Sequence, residues 1–534
     1  MKRVIITFLC LLCIVQAYSQ SFTISGTIID GESNEPLIGA GILVKGAGRG
    51  TITNIDGKYS LEVKRGETLV FSFVGYQNQE VAITNQRTLN IALRVSEANN
   101  LNEVVITGRG SAKRITLTGA VSGIQANELR RVPTSSLQNT LSGKLPGFFS
   151  QQRSGQPGKD ASDFFIRGVS SLNEDGNKPL IMVDDVEYSY EQLSQINVNE
   201  IESISILKDA STTAIYGIKG ANGVLVVKTR RGEQGKPQIN VRLEGGMQSP
   251  VRTTKFLDSY NTAILVNEAY ENDGMPRPFS KADVMAFRDH TDPILYPDIN
   301  WIDYCMNKAA FQSQHNVNIS GGTDRMRYFV SAGMFTQDGM FKQLAASDNF
   351  NFNYKRYNYR ANLDFDATKT TLISVSIGGR IETKRTPESG EDQNQLFRKL
   401  YWAVPFAGAG IVDGKRVVSN ADYLPFTGSD GLNSYYGKGF RSTTTNVLNV
   451  DLVLDQKLDF ITKGLSFKLK GSYNTSYWTQ KIASSSMAVY TPVLHDDGSI
   501  GYRKSGSDSQ LSYSRNSNGE GKSRDWYMEA GLNY

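Results

Sequence analysis

From about residue 237 to its end the chain alternates apolar and polar residues over long stretches, and this period of two constrains the fold more than any other feature. In Tyr359 to Asp366 the apolar set is Tyr359, Ala361, Leu363 and Phe365, and the polar set is Arg360, Asn362, Asp364 and Asp366. Val317 and Ile319, then Tyr328, Val330, Ala332 and Met334, then Leu448, Val450, Leu452 and Leu454, and then Leu465, Phe467, Leu469 and Tyr473 repeat the pattern. Side chains of a strand point to opposite faces in turn, so each stretch has one greasy and one wet surface. A soluble sandwich would bury the greasy surface, but its strands usually run to about five or six residues, and several of these approach ten. A lipid-facing barrel needs about 9 to 11 residues per tilted strand and a polar interior, which fits better. Tight connections at Gly321-Gly322-Thr323-Asp324 and Thr368 to Thr370 alternate with long ones such as Thr383 to Thr443, matching short periplasmic turns and long outer loops. About eight such segments are expected. The last, Trp526 to Tyr534, stops in mid-alternation, so the chain is expected to be cut. An eight-stranded barrel is filled by its own side chains and could not enclose another folded unit.

Composition agrees with strands and turns rather than helical bundles. The 534 residues include 50 Gly, 25 Tyr, 24 Phe and 4 Trp against 15 Pro. With 58 basic and 53 acidic residues the net charge is only +5, which argues against a nucleic-acid partner. Lys2 and Arg3 precede the apolar run Val4 to Val15, which is too short to span a bilayer, and Ala17-Tyr18-Ser19 supplies small residues at a cleavage site. Residues 1–19 therefore read as a signal peptide. Cys10 and Cys13 leave with it, and Cys305 alone cannot form an internal disulfide.

Between signal and barrel, residues 20–95 read as a small antiparallel β-sandwich, with strands at Phe22 to Ile29, Gly41 to Lys45, Lys58 to Val63, Thr68 to Phe73, Glu80 to Ile83 and Leu89 to Leu93. Asn54-x-Asp56-Gly57 is a turn and not a calcium loop, since Ile52 and Val63 would occupy ligating positions. Residues 96–114 form a tether that carries one β-branched strand, Glu103-Val104-Val105-Ile106-Thr107-Gly108. Residues 115–232 form a mixed α+β unit with short helices at Glu128 to Arg131 and Leu137 to Leu141, strands at Lys178 to Val183 and Val224 to Thr229, and a stretch from Ile201 to Lys208 that runs into a Gly-punctuated loop.

The order LNEVVITG (Leu101 to Gly108), Leu117-Thr118-Gly119-Ala120-Val121-Ser122, Ile166-Arg167-Gly168, Leu207-Lys208-Asp209-Ala210-Ser211, Ile215-Tyr216-Gly217 and Gly220-Ala221-Asn222-Gly223-Val224 resembles SusC/RagA-like TonB-dependent outer-membrane transporters. Pro36-Leu37-Ile38-Gly39-Ala40 and Asn54 to Tyr59 are similar to the carboxypeptidase-regulatory-like domain that this family carries before its plug. The resemblance continues through His315 to Gly339 and Tyr354 to Asp366. It implies a mainly β protein with an N-terminal β-sandwich, an α+β plug at 115–232, and, at 233–534, the first part of a 22-stranded transmembrane antiparallel β-barrel. Asp185 departs from the family, which has Gly there in a Val-Asp-Gly turn.

The resemblance also implies function. Glu103, Val104, Val105, Ile106, Thr107 and Gly108 match the TonB box, where an extended strand can add to a sheet edge of an energy-transducing partner and be pulled. The bland reading is an ordinary linker strand. Arg167 and Gly168 match an Ile-Arg-Gly motif whose guanidinium could lock plug to barrel through lumenal carboxylates, against the alternative of a surface Arg beside a turn Gly. Gly217, Gly220 and Gly223 lack the lysine and hydroxyl of a phosphate loop and read as a plug loop of close backbone approach. Asp184, Asp185 and Glu187 read as a solvated turn cluster, and the scattered His290, His315 and His495 give no metal spacing. No enzyme activity, cofactor or metal is expected. The implied role is active import of oligosaccharides or peptides across the outer membrane of a Gram-negative, Bacteroidetes-like envelope, with a TonB-type transducer, a SusD-like surface lipoprotein and outer-membrane lipid as partners. Alternatives are an iron-chelate (siderophore) receptor and a secreted β-rich adhesin. An isolated open sheet of eight strands is expected to aggregate.

Overall fold

The computed structural model describes residues 21–31, 35–73, 76–93, 104–107, 110–113, 121–129, 134 and 136–534, apart from 170, 174, 195, 345–349, 389–392, 426–427 and 434–435. The signal segment, Glu103, Gly108 and most of the tether lie outside the described residues. The chain divides into two compact units, 1–118 and 119–534.

In the first unit two small sheets bury Ile24, Ile28, Ile42, Val44, Val63, Leu69, Phe71 and Leu93 between them. One sheet pairs Lys58–Lys64, Ser21–Asp30 and Ile91–Leu93, and the other pairs Gly50–Ile52, Gly41–Val44, Thr68–Ser72 and Gln79–Ala82. Ile91–Leu93 runs parallel to Ser21–Asp30, which departs from the expected antiparallel sandwich. The chain reaches it by crossing from the other sheet, so no hairpin fixes its direction. The Asn54 side chain accepts hydrogen bonds from the Asp56 and Lys58 amides, and Gly57 has φ 70°, as a tight turn requires. Val104–Thr107 folds back on Gly110–Lys113 as an antiparallel ladder, so the strand expected to stand alone has a partner in the tether itself.

The second unit begins with β1 (Val121–Gln125), β2 (Leu180–Val183), β3 (Val186–Glu187), β4 (Ile201–Leu207) and β5 (Val224–Thr229), paired in the order β1-β4-β5-β2-β3. Val224 to Val227 of β5 are all buried, with Leu225 and Val227 inside the apolar core of the unit. Leu129, Leu137, Leu141, Phe164 and Leu193 pack against Ile201, Ile204, Ile206, Leu225 and Val227 to form its core.

Eight long strands follow: β6 (Gly235–Gln248), β7 (Ala310–Gly322), β8 (Met326–Asp338), β9 (Asn353–Asp366), β10 (Thr371–Pro387), β11 (Gly439–Lys457), β12 (Ser466–Ser484) and β13 (Ser512–Asn533). Each pairs antiparallel with the next, in chain order, as one open sheet. They run 13 to 22 residues, longer than expected from alternation alone. A bilayer needs only about half of the longest, and the strands, aligned at one end, differ in length at the other. Connections at the aligned end are short, after Gly322, Asp366 and Lys457.

The polarity of this sheet is the reverse of a soluble fold. On β9 Arg360 and Asn362 are 6% and 2% exposed, while their neighbours Leu363 and Phe365 are 37% and 42% exposed. Val317, Val330, Ile377 and Leu452 are exposed in the same way, and Asn316, Ser331, Ser376 and Asp451 are buried. The polar face is buried because the β1–β5 unit lies against it.

The long connections are folded, which the sequence did not reveal. Helices α1 (Ser259–Asn272), α2 (Lys281–Asp289), α3 (Trp301–Cys305) and α4 (Gln393–Trp402) join a four-stranded sheet of Gly408–Val412, Lys415–Val418, Val489–Leu494 and Ile500–Ser505. They have apolar cores of their own, one around Trp301, Phe341, Phe352, Leu396 and Leu400 and another around Phe279, Phe287 and Phe406. A buried Arg416–Asp430 pair adds a charged tie, with Nε 3.0 Å from Oδ2.

Candidate functional site

The functional surface is where the β1–β5 unit meets the wet face of the long sheet. Asn197 caps the short turn Val198–Glu200 by accepting the Asn199 amide, and this cap aims Glu200 at the sheet. Glu200 Oε2 accepts from Arg360 Nε of β9 at 2.9 Å, with side chains 3% and 5% exposed. The Asn197 amide also donates to Asn316 of β7. Just past β5, Arg231 donates to Asp364 of β9 at 2.6 Å, and Ser374 of β10 holds the same carboxylate at 2.6 Å. Asn362 donates to the Thr229 hydroxyl at 2.9 Å and to the Arg230 carbonyl at 2.7 Å. Asn449 of β11 donates to the Tyr188 hydroxyl at 3.2 Å. Burial holds the Tyr188 phenol well above its usual range.

Such an interface is unlike an apolar core. Its ties are polar and charge-assisted, and polar atoms such as Asn318 Oδ1 and Asn362 Oδ1 are buried there without a protein hydrogen-bond partner. An apolar seal of the same area would have no water-exchangeable contacts. Beside the seat lies a cavity of about 440 Å³ between Ser189, Glu191 and Gln192 on one side and Arg380, Asn474, Trp478 and Asp525 of the sheet on the other. Its lining mixes an indole, amides and both signs of charge.

The expected site residues are distributed differently. Arg167 Nη2 pairs with Asp209 Oδ1 at 2.7 Å, within its own unit, rather than with a carboxylate of the sheet. Arg167 has φ 64° and Gly168 φ 101°, so Ile166-Arg167-Gly168 is a tight turn closing the strand Asp163–Ile166, and its geometry directs the guanidinium along the unit's own surface. The ties to the sheet come instead from Glu200, Asn197, Tyr188, Thr229, Arg230, Arg231 and Asp185. Their partners Arg360, Asn362 and Asp364 were legible as a polar face, but nothing local marked Glu200 or Arg231 as facing it. Of the cluster expected to be solvated, Asp184 and Asp185 are partly buried and engaged, while Glu187 stays on the exposed surface. Asp184 accepts from the Thr229 amide at 3.0 Å, Asp185 meets Lys470 at 3.1 Å, and Glu187 pairs with Lys219 at 2.7 Å. Gly220 and Gly223 lie where a Cβ would stand 2.8 Å from the Thr213 carbonyl and 3.0 Å from Ile166, the close approach expected of them, whereas a Cβ at Gly217 would meet nothing within 4 Å and that position needs glycine for its φ of 59° instead.

Comparison with known proteins matches this architecture. A CarboxypepD_reg-like domain model matches residues 24–106, and a TonB-dependent Receptor Plug Domain model matches 113–224. TonB-dependent receptor P26 of Formosa agariphila is 34% identical over 345 residues, covering 64% of this chain and 32% of that relative. TonB-dependent receptor SusC of Bacteroides thetaiotaomicron is 32% identical over 407 residues, 73% of this chain and 38% of its own length. The RagAB peptide importer in its open-open state shares the fold at a TM-score of 0.54 and 22% identity, over 71% of this chain and 43% of that one. A plug seated on the polar face of a lipid-facing strand wall defines a TonB-dependent receptor. Within that class the chain belongs to the SusC/RagA-like family, whose members are outer-membrane proteins of Gram-negative bacteria. It spans about a third to two fifths of the curated relatives it matches.

Proposed function

We propose that the protein carries out TonB-dependent active import of oligosaccharides or peptides across the outer membrane. The observation that carries this reading is the inverted polarity of the long sheet, apolar outward, with a folded plug tied to its inner face by ion pairs and amides. A wall of that kind, lined by a separate folded plug, suits a gated aqueous path. Import of peptides is named for RagAB and the SusC name attaches to a close sequence relative, which supports a ligand of one of these two classes. In this reading residues 20–95 are an accessory sandwich, 96–114 the tether, 115–232 the plug and 233–534 the barrel wall. A SusD-like lipoprotein closes over the folded outer connections.

Energy comes from the inner membrane through Glu103 to Gly108. Val104 to Thr107 form a short ladder with Gly110 to Lys113, an exchangeable pairing that a transducer's sheet edge could replace. Deleting Glu103 to Gly108 is expected to abolish energised uptake while leaving outer-membrane insertion and heat-modifiable migration intact. Uptake at the normal rate by the deletion protein would overturn the assignment of this segment.

A further inference from the structure

Asp185 occupies a position that ordinary turn chemistry gives to glycine. It is the second central residue of the two-residue hairpin between β2 and β3, with Val183 and Val186 paired across it. Asp184 and Asp185 have φ 47° and 68°. Both lie in the left-handed region, as in the hairpin turn whose favoured second residue is Gly. Asp is among the few residues besides Gly that adopt this region, at a residual cost in strain that contacts of its side chain can offset.

The compensation is visible on the opposite element. Asp185 Oδ2 is 3.1 Å from Lys470 Nζ and 3.5 Å from Lys468 Nζ, two residues of β12 that share its lumenal face. The Lys470 side chain is 9% exposed and would be left as a buried, poorly compensated ammonium without this carboxylate. Asp184, its neighbour, is bonded back to Thr229 at the end of β5, so the turn is braced from behind while Asp185 reaches forward. The hairpin β2–β3 is the edge of the plug sheet opposite β1, the strand that follows the tether in sequence.

We infer that Asp185, with Lys468 and Lys470, is an electrostatic latch that holds the far edge of the plug against the wall and sets how often the plug leaves its seat. The latch is a positioning device of this chain, and it rests on the reading of the sheet as a channel wall. It differs from the Glu200–Arg360 tie in two ways. It is partly hydrated, so salt weakens it, and its backbone geometry favours release once the charge pair is gone.

Asp185→Gly separates a latch from a turn residue. Glycine relieves the strain, so a residue that only shapes the turn would leave the plug as firmly seated as before, or more so. The expected result is the reverse. In cells expressing the protein, without energisation, entry of a glycopeptide antibiotic too large for porins rises roughly five- to tenfold for Asp185→Gly, the range of a modest coupling between two sites. Lys468→Gln with Lys470→Gln gives a similar rise, and combining all three changes adds little more. Asp185→Lys with Lys468→Glu and Lys470→Glu, which rebuilds the pair with reversed charge, brings entry back toward the parent. Entry unchanged in Asp185→Gly, or independent effects that simply multiply in the triple variant, would overturn the latch. Heat-modifiable migration of each variant in the outer-membrane fraction is read in parallel. If the parent protein itself is not inserted, the channel reading fails and the latch with it; if the parent inserts and the variants do not leak, the latch alone fails.

Discussion

At the scale of single residues, the most consequential pair is Glu200 with Arg360. Both charges are almost fully removed from water, so their value shows when one is removed and the other stays behind. Glu200→Ala is expected to lower the stability of the seated plug by about 3–5 kcal/mol. Denaturant-dependent proteolysis of the plug in outer-membrane vesicles measures it, and an unchanged midpoint would show that the pair does not hold the seat. A second residue titrates. Burial pushes the Tyr59 phenol in the front sandwich up to about 12 from 10.0, while its hydroxyl donates to the Leu89 carbonyl at 2.8 Å. The folded state holds this proton more tightly than the unfolded chain. Its stabilising contribution is therefore complete below pH 10.0 and is lost as pH rises toward about 12. Thermal melts of the sandwich should fall across that window, and Tyr59→Phe should remove this part of the fall. Chemistry at this scale was poorly legible in the sequence. Arg167 drew attention through its motif, yet its partner Asp209 is 42 residues away in the same unit. Glu200 sat in no motif, and only the tertiary fold brings it to Arg360.

At the scale of elements, the alternation of β9 was read with the correct face outward, because a period of two leaves no third orientation for a side chain. Strand ends were harder. β11 and β12 run 19 residues each, and the polar stretch Gly439 to Asn446 that extends β11 has no greasy face to mark it. Cross-strand pairing alone continues it, Thr443 opposite Gln480 and Thr445 opposite Trp478. The outer connections were illegible for a different reason. Their helices bury residues against partners far along the chain, as where the Trp301 indole donates to the Val404 carbonyl at 2.8 Å. Local signals existed at α2, where Ser280 accepts the Asp283 amide and Asp283 accepts the Ser280 amide in a reciprocal cap. Ser280→Ala should cost about 1 kcal/mol of local helix stability. Hydrogen exchange at the first turn of α2 reads this directly, with faster exchange expected and unchanged protection contradicting the cap's role.

At the scale of the whole molecule, the sequence showed the three-part order of sandwich, plug and wall, and the resemblance supplied the family to which all of it belongs. What it could not show is how the parts of the second unit are joined. The plug binds through dispersed polar contacts to five different strands, and dispersion leaves no motif. An eight-stranded sheet with Leu452, Ile377 and Trp526 on its open face exposes an apolar surface that water does not tolerate. Residues 20–534 expressed alone should therefore require detergent or lipid to remain in solution, and a monomeric detergent-free preparation would contradict the orientation assigned to the sheet.

That orientation is tested most directly at two adjacent positions of β10. Ile377 faces outward and is 39% exposed, and Ser376 faces the plug at 3%. With the buried Cys305 replaced by alanine, nitroxide labels are placed at Ile377→Cys or Ser376→Cys and the protein is reconstituted in liposomes. A label at 377 should collide freely with oxygen dissolved in the bilayer and be shielded from a water-soluble nickel complex, while a label at 376 should be shielded from lipid oxygen. A label at 377 that is closed to oxygen, or reached by the nickel complex, would mean that the apolar face does not meet lipid.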